Sequence, residues 1–88
     1  MPRYITSHII ACMPYQRLQK FLVELQSETG EVRNLRAYCD TIQGRMVCEF
    51  EAPSGEVLSE WLKERKINCQ WLFKVEFVAE GAEVKRLI

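Results

Sequence analysis

His8 is the single histidine among 88 residues. Histidine is the side chain whose unperturbed pKa lies closest to neutral pH. Arg36, Tyr38, Glu49 and Glu76 fall in segments of alternating apolar and polar residues, where a β-strand directs every second side chain to one face. Together these five residues could bind a small polar ligand, or act as acid and base if burial shifted their pKa values. They are the candidate ligand-binding residues.

The same side chains also fit a structural role. His8 could be a hydrogen-bonded strand histidine, and Arg36 with Glu49 could form a cross-strand ion pair contributing a few tenths of a kcal/mol. The sequence contains no glycine-rich phosphate loop and no G-x-S-x-G motif. It also contains no pair of carboxylates at a spacing recognisable as that of a catalytic acid and base. These features favour a binding role over catalysis, and no cofactor is expected.

A transition-metal site is a weaker hypothesis. A closed zinc site needs about four protein ligands, or three plus water, and His8 with Cys39 and Cys48 is the obvious set. Strand alternation places the two cysteines on the opposite face of the sheet from His8, so this set forms only if the faces of the first strand are exchanged.

The cysteines are predicted to be reduced and mostly buried, because they show no C-x-x-C spacing and no secretory context. Cys12, in the loop before Pro14, is expected to react most readily with thiol reagents. Trp61 and Trp71 are both expected to face the core. The four cysteines are Cys12, Cys39, Cys48 and Cys69.

Length and charge limit the possible classes of protein. The 88 residues predict one domain, with a core over residues 3–78 and a tail over 79–88. Twelve basic and twelve acidic side chains cancel, which argues against nucleic-acid binding. No apolar run has the roughly 20 residues of a membrane span, and no secretion signal is recognisable, so we expect a soluble cytoplasmic protein.

The periodicity predicts six elements in the order β-α-β-β-α-β. The first strand covers Arg3–Ala11, and a helix follows from Pro14 to Gly30. A hairpin is predicted from Arg33–Asp40 and Arg45–Glu51, joined by a link that ends in Gly44. The buried stripe of the first helix comprises Leu18, Phe21, Leu22 and Leu25.

A second helix is capped by Ser54 and ends near Arg65 and Lys66, and a fourth strand runs from Cys69 to Val78. In the hairpin, alternation assigns Leu35, Ala37, Cys39, Met46, Cys48 and Phe50 to the core face, and Arg36, Tyr38, Asp40, Arg45, Val47 and Glu49 to the opposite face. The second helix buries Val57, Leu58, Trp61 and Leu62.

This order predicts an α+β ferredoxin-like sandwich, in which two helices cover one face of a four-stranded antiparallel sheet. With a central first strand flanked by the third and fourth, Tyr4, Thr6 and His8 are expected on the uncovered face. A small chain with such a face commonly pairs with a second copy or forms the wall of a ligand cavity, as in dimeric α+β barrels.

The segment GRMVCEFEAPSGEVLSEWLKERKI, followed by KVEFV and preceded by Tyr4-Ile5 and His8, resembles a small ferredoxin-like family of unknown function that includes nickel-binding members. The likeness runs from about Arg3 to Val78. It implies a dimeric α+β sandwich without an established enzyme activity. It also implies that His8 stands where the nickel-binding branch has a strand histidine. That branch resembles a histidine-rich protein, whereas this chain has one histidine.

Three functional hypotheses follow. The first is a homodimeric ligand-binding or regulatory module that uses the open sheet face. The second is a cofactor-free isomerase or monooxygenase-like enzyme of the dimeric barrel type, with His8, Tyr38 and Glu49 lining a cavity. The third is nickel or other transition-metal binding through His8.

Overall fold

The structure is a computed structural model, and it describes residues 1–87. Its elements are β1 (Arg3–Ile9), α1 (Tyr15–Ser27), β2 (Arg33–Asp40), β3 (Arg45–Glu51), α2 (Gly55–Glu64), β4 (Trp71–Lys74), β5 (Phe77–Glu80) and β6 (Glu83–Arg86).

The first four strands form one antiparallel sheet in the order β2-β3-β1-β4. The strands of the two β-α-β halves alternate in the sheet. Thus β3 lies between β1 and β2, and β1 lies between β3 and β4. This α+β arrangement is compatible with a ferredoxin-like fold. The predicted central position of β1, between β3 and β4, is confirmed.

The β2–β3 hairpin has the predicted bounds, and its turn explains the tight connection. The Oδ1 atom of Asp40 accepts hydrogen bonds from the backbone N–H groups of Ile42 and Gln43 at 3.0 and 3.1 Å. Gly44 completes the turn with φ of +68°, a left-handed conformation that costs glycine little. The aspartate and the glycine together set the hairpin register.

A β-bulge interrupts the hairpin between Asn34 and Arg36. Asn34 lies opposite Phe50, whereas Ala37 lies opposite Cys48, so Leu35 has no direct partner. The predicted pairing therefore holds beyond the bulge but not at Leu35. Because the extra residue interrupts the alternation, Asn34 and Ala37 lie on the same face although they are three residues apart.

Both helices begin at predicted signals. Pro14 occupies the N-cap position of α1, and the hydroxyl of Ser54 caps α2 by accepting from the backbone N–H of Val57 at 3.1 Å. The first helix ends at Ser27, three residues before Gly30, whose φ is +142°. Within residues 1–87, no helix has the length and apolar character required to cross a membrane.

The core lies between the helices and one face of the sheet. Leu18 and Leu25 of α1 and Leu58 and Leu62 of α2 belong to a single buried cluster with residues of β3. Both helices therefore cover the same face of the sheet, as predicted. The β3 members of the cluster are Met46, Cys48 and Phe50.

The C-terminal part differs from the prediction. The expected strand from Cys69 to Val78 is divided, because β4 ends at Lys74 and Val75 turns inward to become buried. The expected tail is instead a second hairpin, β5–β6, turning at Gly81 with φ of +61°. A period-two pattern continues unchanged from one strand into the next, so it could not indicate the break.

Candidate functional site

The register of β1 places His8 on the helix-covered face of the sheet. His8 lies opposite Met46 and Thr6 lies opposite Cys48, and both partners belong to the core. His8 is 1% exposed, and Tyr4 and Thr6 are also buried. The prediction that Tyr4, Thr6 and His8 point to the open face is therefore wrong.

The physical reason is the composition of β1, which carries apolar residues on both faces. Ile5 and Ile9 occupy the open side, while Tyr4 and His8 occupy the core side with the following residue Ile10. Alternation alone does not decide which face is covered when both contain large side chains. His8 can be buried in the core because both of its ring nitrogens form hydrogen bonds.

Both ring nitrogens of His8 are occupied. Nδ1 lies 2.5 Å from the backbone carbonyl oxygen of Asn68, and Nε2 lies 2.6 Å from the hydroxyl oxygen of Thr6. A carbonyl oxygen only accepts, so Nδ1 carries the proton and donates. In the neutral ring Nε2 is then the acceptor, and Thr6 donates its hydroxyl proton to it.

Asn68 fixes this arrangement from the loop between α2 and β4. Its side-chain amide donates to the carbonyl oxygen of Ile9 and accepts from the N–H of the same residue, both at 2.8 Å. Burial lowers the pKa of His8, and the hydrogen bond to Asn68 only partly opposes that effect. His8 is consequently a neutral, fully bonded side chain near pH 7.

The residues around His8 do not fit a resident metal ion. Nε2, the nitrogen with a free electron pair, already accepts from Thr6. Throughout residues 1–87, no three His, Cys, Asp or Glu side chains are grouped closely enough to hold a metal. Although Cys48 shares a face with His8, contrary to the predicted separation, the two form no such group with a third ligand.

A cleft of about 310 Å³ adjoins His8 at the C-terminal end of β1. The loop after β1, the first half of α1 and the α2–β4 loop enclose it. Apolar side chains form much of the wall, with cationic groups beside them. The lining contains Ile10, Met13, Phe21 and Ile67, together with Arg17, Arg65 and Lys66.

Three predicted site residues remain on the open face, but they are separated from His8 by the sheet. Arg36, Tyr38 and Glu49 lie on that face, and an Arg36 nitrogen is 3.4 Å from the Tyr38 hydroxyl. Glu49 pairs with Arg3 at 3.3 Å, not with Arg36. Since His8 lies on the other side, a cavity lined by His8, Tyr38 and Glu49 is not formed within one chain.

Glu76, the fifth candidate, lies outside the strands, between β4 and β5. Its side chain is exposed, and its backbone carbonyl accepts from the N–H of Leu87 at 2.9 Å. Glu76 thus closes the base of the second hairpin and does not join the other predicted residues.

The open face also carries large apolar side chains. Trp71 and Phe73 of β4 stack with their ring centroids 5.4 Å apart, and they remain 46% and 52% exposed. Phe73 lies opposite Ile5, and Val47 and Tyr38 are paired in the adjoining strands. The prediction that Trp71 faces the core is wrong, whereas Trp61 packs on Phe50, as expected, at 5.7 Å.

The thiols are more exposed than predicted. Cys48 alone among the four is buried, and burial, the main cause, raises its pKa to about 12. Cys12, Cys39 and Cys69 are exposed. Burial still raises the pKa values of Cys39 and Cys69, so neither is an activated thiolate.

Comparisons with protein-family models, with curated proteins and with solved structures found no match to this chain. Functional proposals consequently rest on the geometry of the chain itself.

Sequence reasoning missed the partners of His8 and the cations of the cleft. Thr6 was predicted to share a face with His8, because residues two apart on a strand do so, but it was not predicted as the hydrogen-bond partner of His8. Asn68 and Lys66 lie far from His8 in sequence, in the α2–β4 loop, and Arg17 lies in α1, so no local pattern joins them to it. Only the packing of α1 and α2 against β1 brings them together.

Proposed function

We propose that this protein is a homodimeric binding module whose two copies pack through their open sheet faces. The observation that carries the proposal is the open-face apolar patch, which we define as Ile5, Val47, Trp71 and Phe73. Trp71 and Phe73 are exposed, whereas Ile5 and Val47 are half-buried. Large apolar side chains grouped on one face among charged residues are typical of an interaction surface. In the ferredoxin-like arrangement, two such faces would form a dimeric α+β barrel.

The charge on the open face supports a second copy as the occupant. The acidic and basic residues of this face nearly balance, so two identical faces would meet without a large net repulsion. A two-fold axis places residues that lie away from it opposite different residues of the other copy, which allows mixed signs to pair. The charged residues are Arg3, Arg33, Arg36, Arg45, Asp40, Glu49 and Glu51.

The second hairpin gives independent support. Within residues 1–87, strands β5 and β6 pair only with each other, and Phe77 and Val84 are 56% and 69% exposed. An isolated two-stranded hairpin is marginally stable in water, so it needs a surface on which to pack. The hydrogen bond to Tyr38 is the main cause that raises the pKa of Arg36, and the charge of Glu80 at the hairpin tip adds a smaller effect. A second copy on the open face would contact the hairpin too.

Sedimentation equilibrium over a wide concentration range tests the proposal with the wild-type chain and Phe73→Glu. The wild type should be a dimer at micromolar concentration, and the variant should be a monomer because it buries a charge in the interface. Val23→Glu is the matched control, since Val23 is 61% exposed on α1, away from the open face. It should leave the dimer intact. A wild type that stays monomeric at high micromolar concentration, or dimerisation unaffected by Phe73→Glu, contradicts the proposal.

A further inference from the structure

The cleft beside His8 carries an excess of positive charge in a chain whose net charge is zero. No acidic side chain lines it. Arg65 is paired with Glu28 and lies over the ring of Trp61 at 3.9 Å, so its charge is already compensated. The ion pairs found within residues 1–87 involve neither Arg17 nor Lys66, which leaves these two cations for a ligand.

The backbone of Lys66 is a second observation pointing to this cleft. Its φ is +57°, in the left-handed region that side chains other than glycine rarely adopt. The N–H of Lys66 bonds to Lys63 at 3.0 Å and that of Ile67 bonds to Leu62 at 2.9 Å, which forms a Schellman cap at the end of α2. Glycine is the usual residue at this position, whereas this chain has a lysine there, with its side chain at the cleft.

We propose that the cleft binds a small amphipathic carboxylate, with its apolar body among Ile10, Phe21 and Ile67 and its charged end between Arg17 and Lys66. The site is on the helix-covered side of the sheet, so it is separate from the proposed dimer face. Neither ring nitrogen of His8 is free to contact the ligand, because Thr6 and Asn68 occupy both.

The size of the cleft narrows the ligand class. About 310 Å³ accommodates roughly ten non-hydrogen atoms if each takes the ~30 Å³ of a liquid water molecule. Octanoate has that size, whereas a nucleotide or a long-chain acid is larger than the cleft. The apolar wall disfavours a small hydrated anion such as acetate, and the two cations disfavour an amine.

Calorimetric titration of the full chain with sodium octanoate tests the site, with octylamine and acetate as probes of charge and of the apolar body. One octanoate should bind per chain, and acetate and octylamine should bind much more weakly or not at all. Arg17→Gln and Lys66→Gly should each weaken octanoate binding by about tenfold, because each removes one charge-assisted contact.

Lys66→Gly separates a ligand role from a structural one. The variant should bind octanoate more weakly and yet unfold at a higher urea concentration, since glycine adopts the left-handed conformation without strain. Lys20→Gln on the exposed side of α1 is the matched control, because it removes a cation that does not line the cleft, and it should leave octanoate binding unchanged.

Several results would contradict the proposal that the cleft binds a carboxylate. These are no saturable octanoate binding, equal affinity for octylamine, unchanged octanoate affinity in the Arg17→Gln, Lys66→Gly double variant, or binding abolished by Phe73→Glu. The last result would place the carboxylate on the open face instead. Failure of dimerisation, measured separately by sedimentation, would not affect the cleft.

Discussion

The Nδ1 atom of His8 donates to the backbone carbonyl of Asn68 at 2.5 Å, across a separation of 60 residues in the chain. This bond attaches the end of β1 to the loop that leads from α2 into β4. The side chain of Asn68 reinforces it through both backbone groups of Ile9. Two segments that meet only in the folded state are thereby held at the edge of the cleft.

We expect His8→Ala to lower the free energy of unfolding by about 3 kcal/mol. The substitution opens a space in the core and leaves the buried hydroxyl of Thr6 without its acceptor. Urea unfolding followed by tryptophan fluorescence measures the change. Gln19→Ala, on the exposed side of α1, is the control and should shift stability by less than about 0.5 kcal/mol. A loss as small as that of the control would contradict the assigned role of His8.

Stability should fall as pH decreases through the range in which free histidine titrates. The folded-state pKa of His8 is below its unfolded value because the ring is buried. Below about pH 6.5 the unfolded chain therefore binds a proton that the folded chain does not, and the free energy of unfolding decreases by up to about 1.4 kcal/mol per pH unit. The stabilisation linked to His8 is fully present above about pH 6.5. It is lost as the pH falls toward the folded-state pKa of His8.

Urea midpoints of wild type and His8→Gln, measured between pH 7.5 and pH 5, check this dependence. The wild-type midpoint should fall with pH, and the variant midpoint should be nearly constant over the same interval. The pair of Glu28 and Arg65 lowers the pKa of Glu28, so its stabilisation is present at neutral pH and is lost mainly at pH values more acidic than this interval, as the carboxylate is protonated. Parallel pH profiles in the two proteins would assign the effect to other groups.

The native protein should expose three reactive thiols and protect one. Cys12, Cys39 and Cys69 are exposed, whereas Cys48 is 0% exposed and burial raises its pKa to about 12. Alkylation with iodoacetamide at pH 8, followed by peptide mass mapping, should modify the three exposed thiols and leave Cys48 unmodified until denaturant is added. Alkylation of Cys48 in the native state at a comparable rate would show that the core opens there.

The second hairpin should be dispensable for the fold but not for assembly. Deleting residues 77–88 removes β5 and β6, which make no pairing with the four-stranded sheet, and retains the buried Val75. The shortened chain should keep a cooperative unfolding transition and dimerise more weakly than the full chain. Circular dichroism and sedimentation equilibrium measure the two properties. Loss of cooperative folding would mean that the hairpin belongs to the core.

The local signals in the sequence predicted the first five elements well. Ser54, Pro14 and the alternation around Gly44 each act through their immediate neighbours, so they are readable without tertiary information. The α1 and α2 stripes were equally clear, because a helix in a small α+β domain buries one face. The fold class depends on these elements and their order, and it could be predicted.

The faces of β1 and β4 could not be predicted, because their alternation is apolar on both sides. Ile5 and Phe73 resemble core residues by type, yet they lie on the open face, while His8 and Thr6 lie inside. The face follows from the register with β3, and that pairing joins residues about forty positions apart. Uncovered apolar residues of this kind are the basis of the proposed dimer face.

A comparison of two glycines tests the turn that joins β2 to β3. Gly44 and Gly81 have nearly equal φ values, +68° and +61°, but a Cβ at Gly44 would lie 3.1 Å from the Ala11 Cα, whereas nothing lies within 4 Å at Gly81. Gly44→Ala should therefore cost the backbone strain plus the contact, about 2–3 kcal/mol, and Gly81→Ala only the strain of about 1 kcal/mol. The Gly44 carbonyl also accepts from the N–H of Ile10 at 2.8 Å, so movement away from Ala11 would weaken that bond. Urea unfolding of both variants measures the difference, and equal losses would show that the close approach to Ala11 contributes nothing.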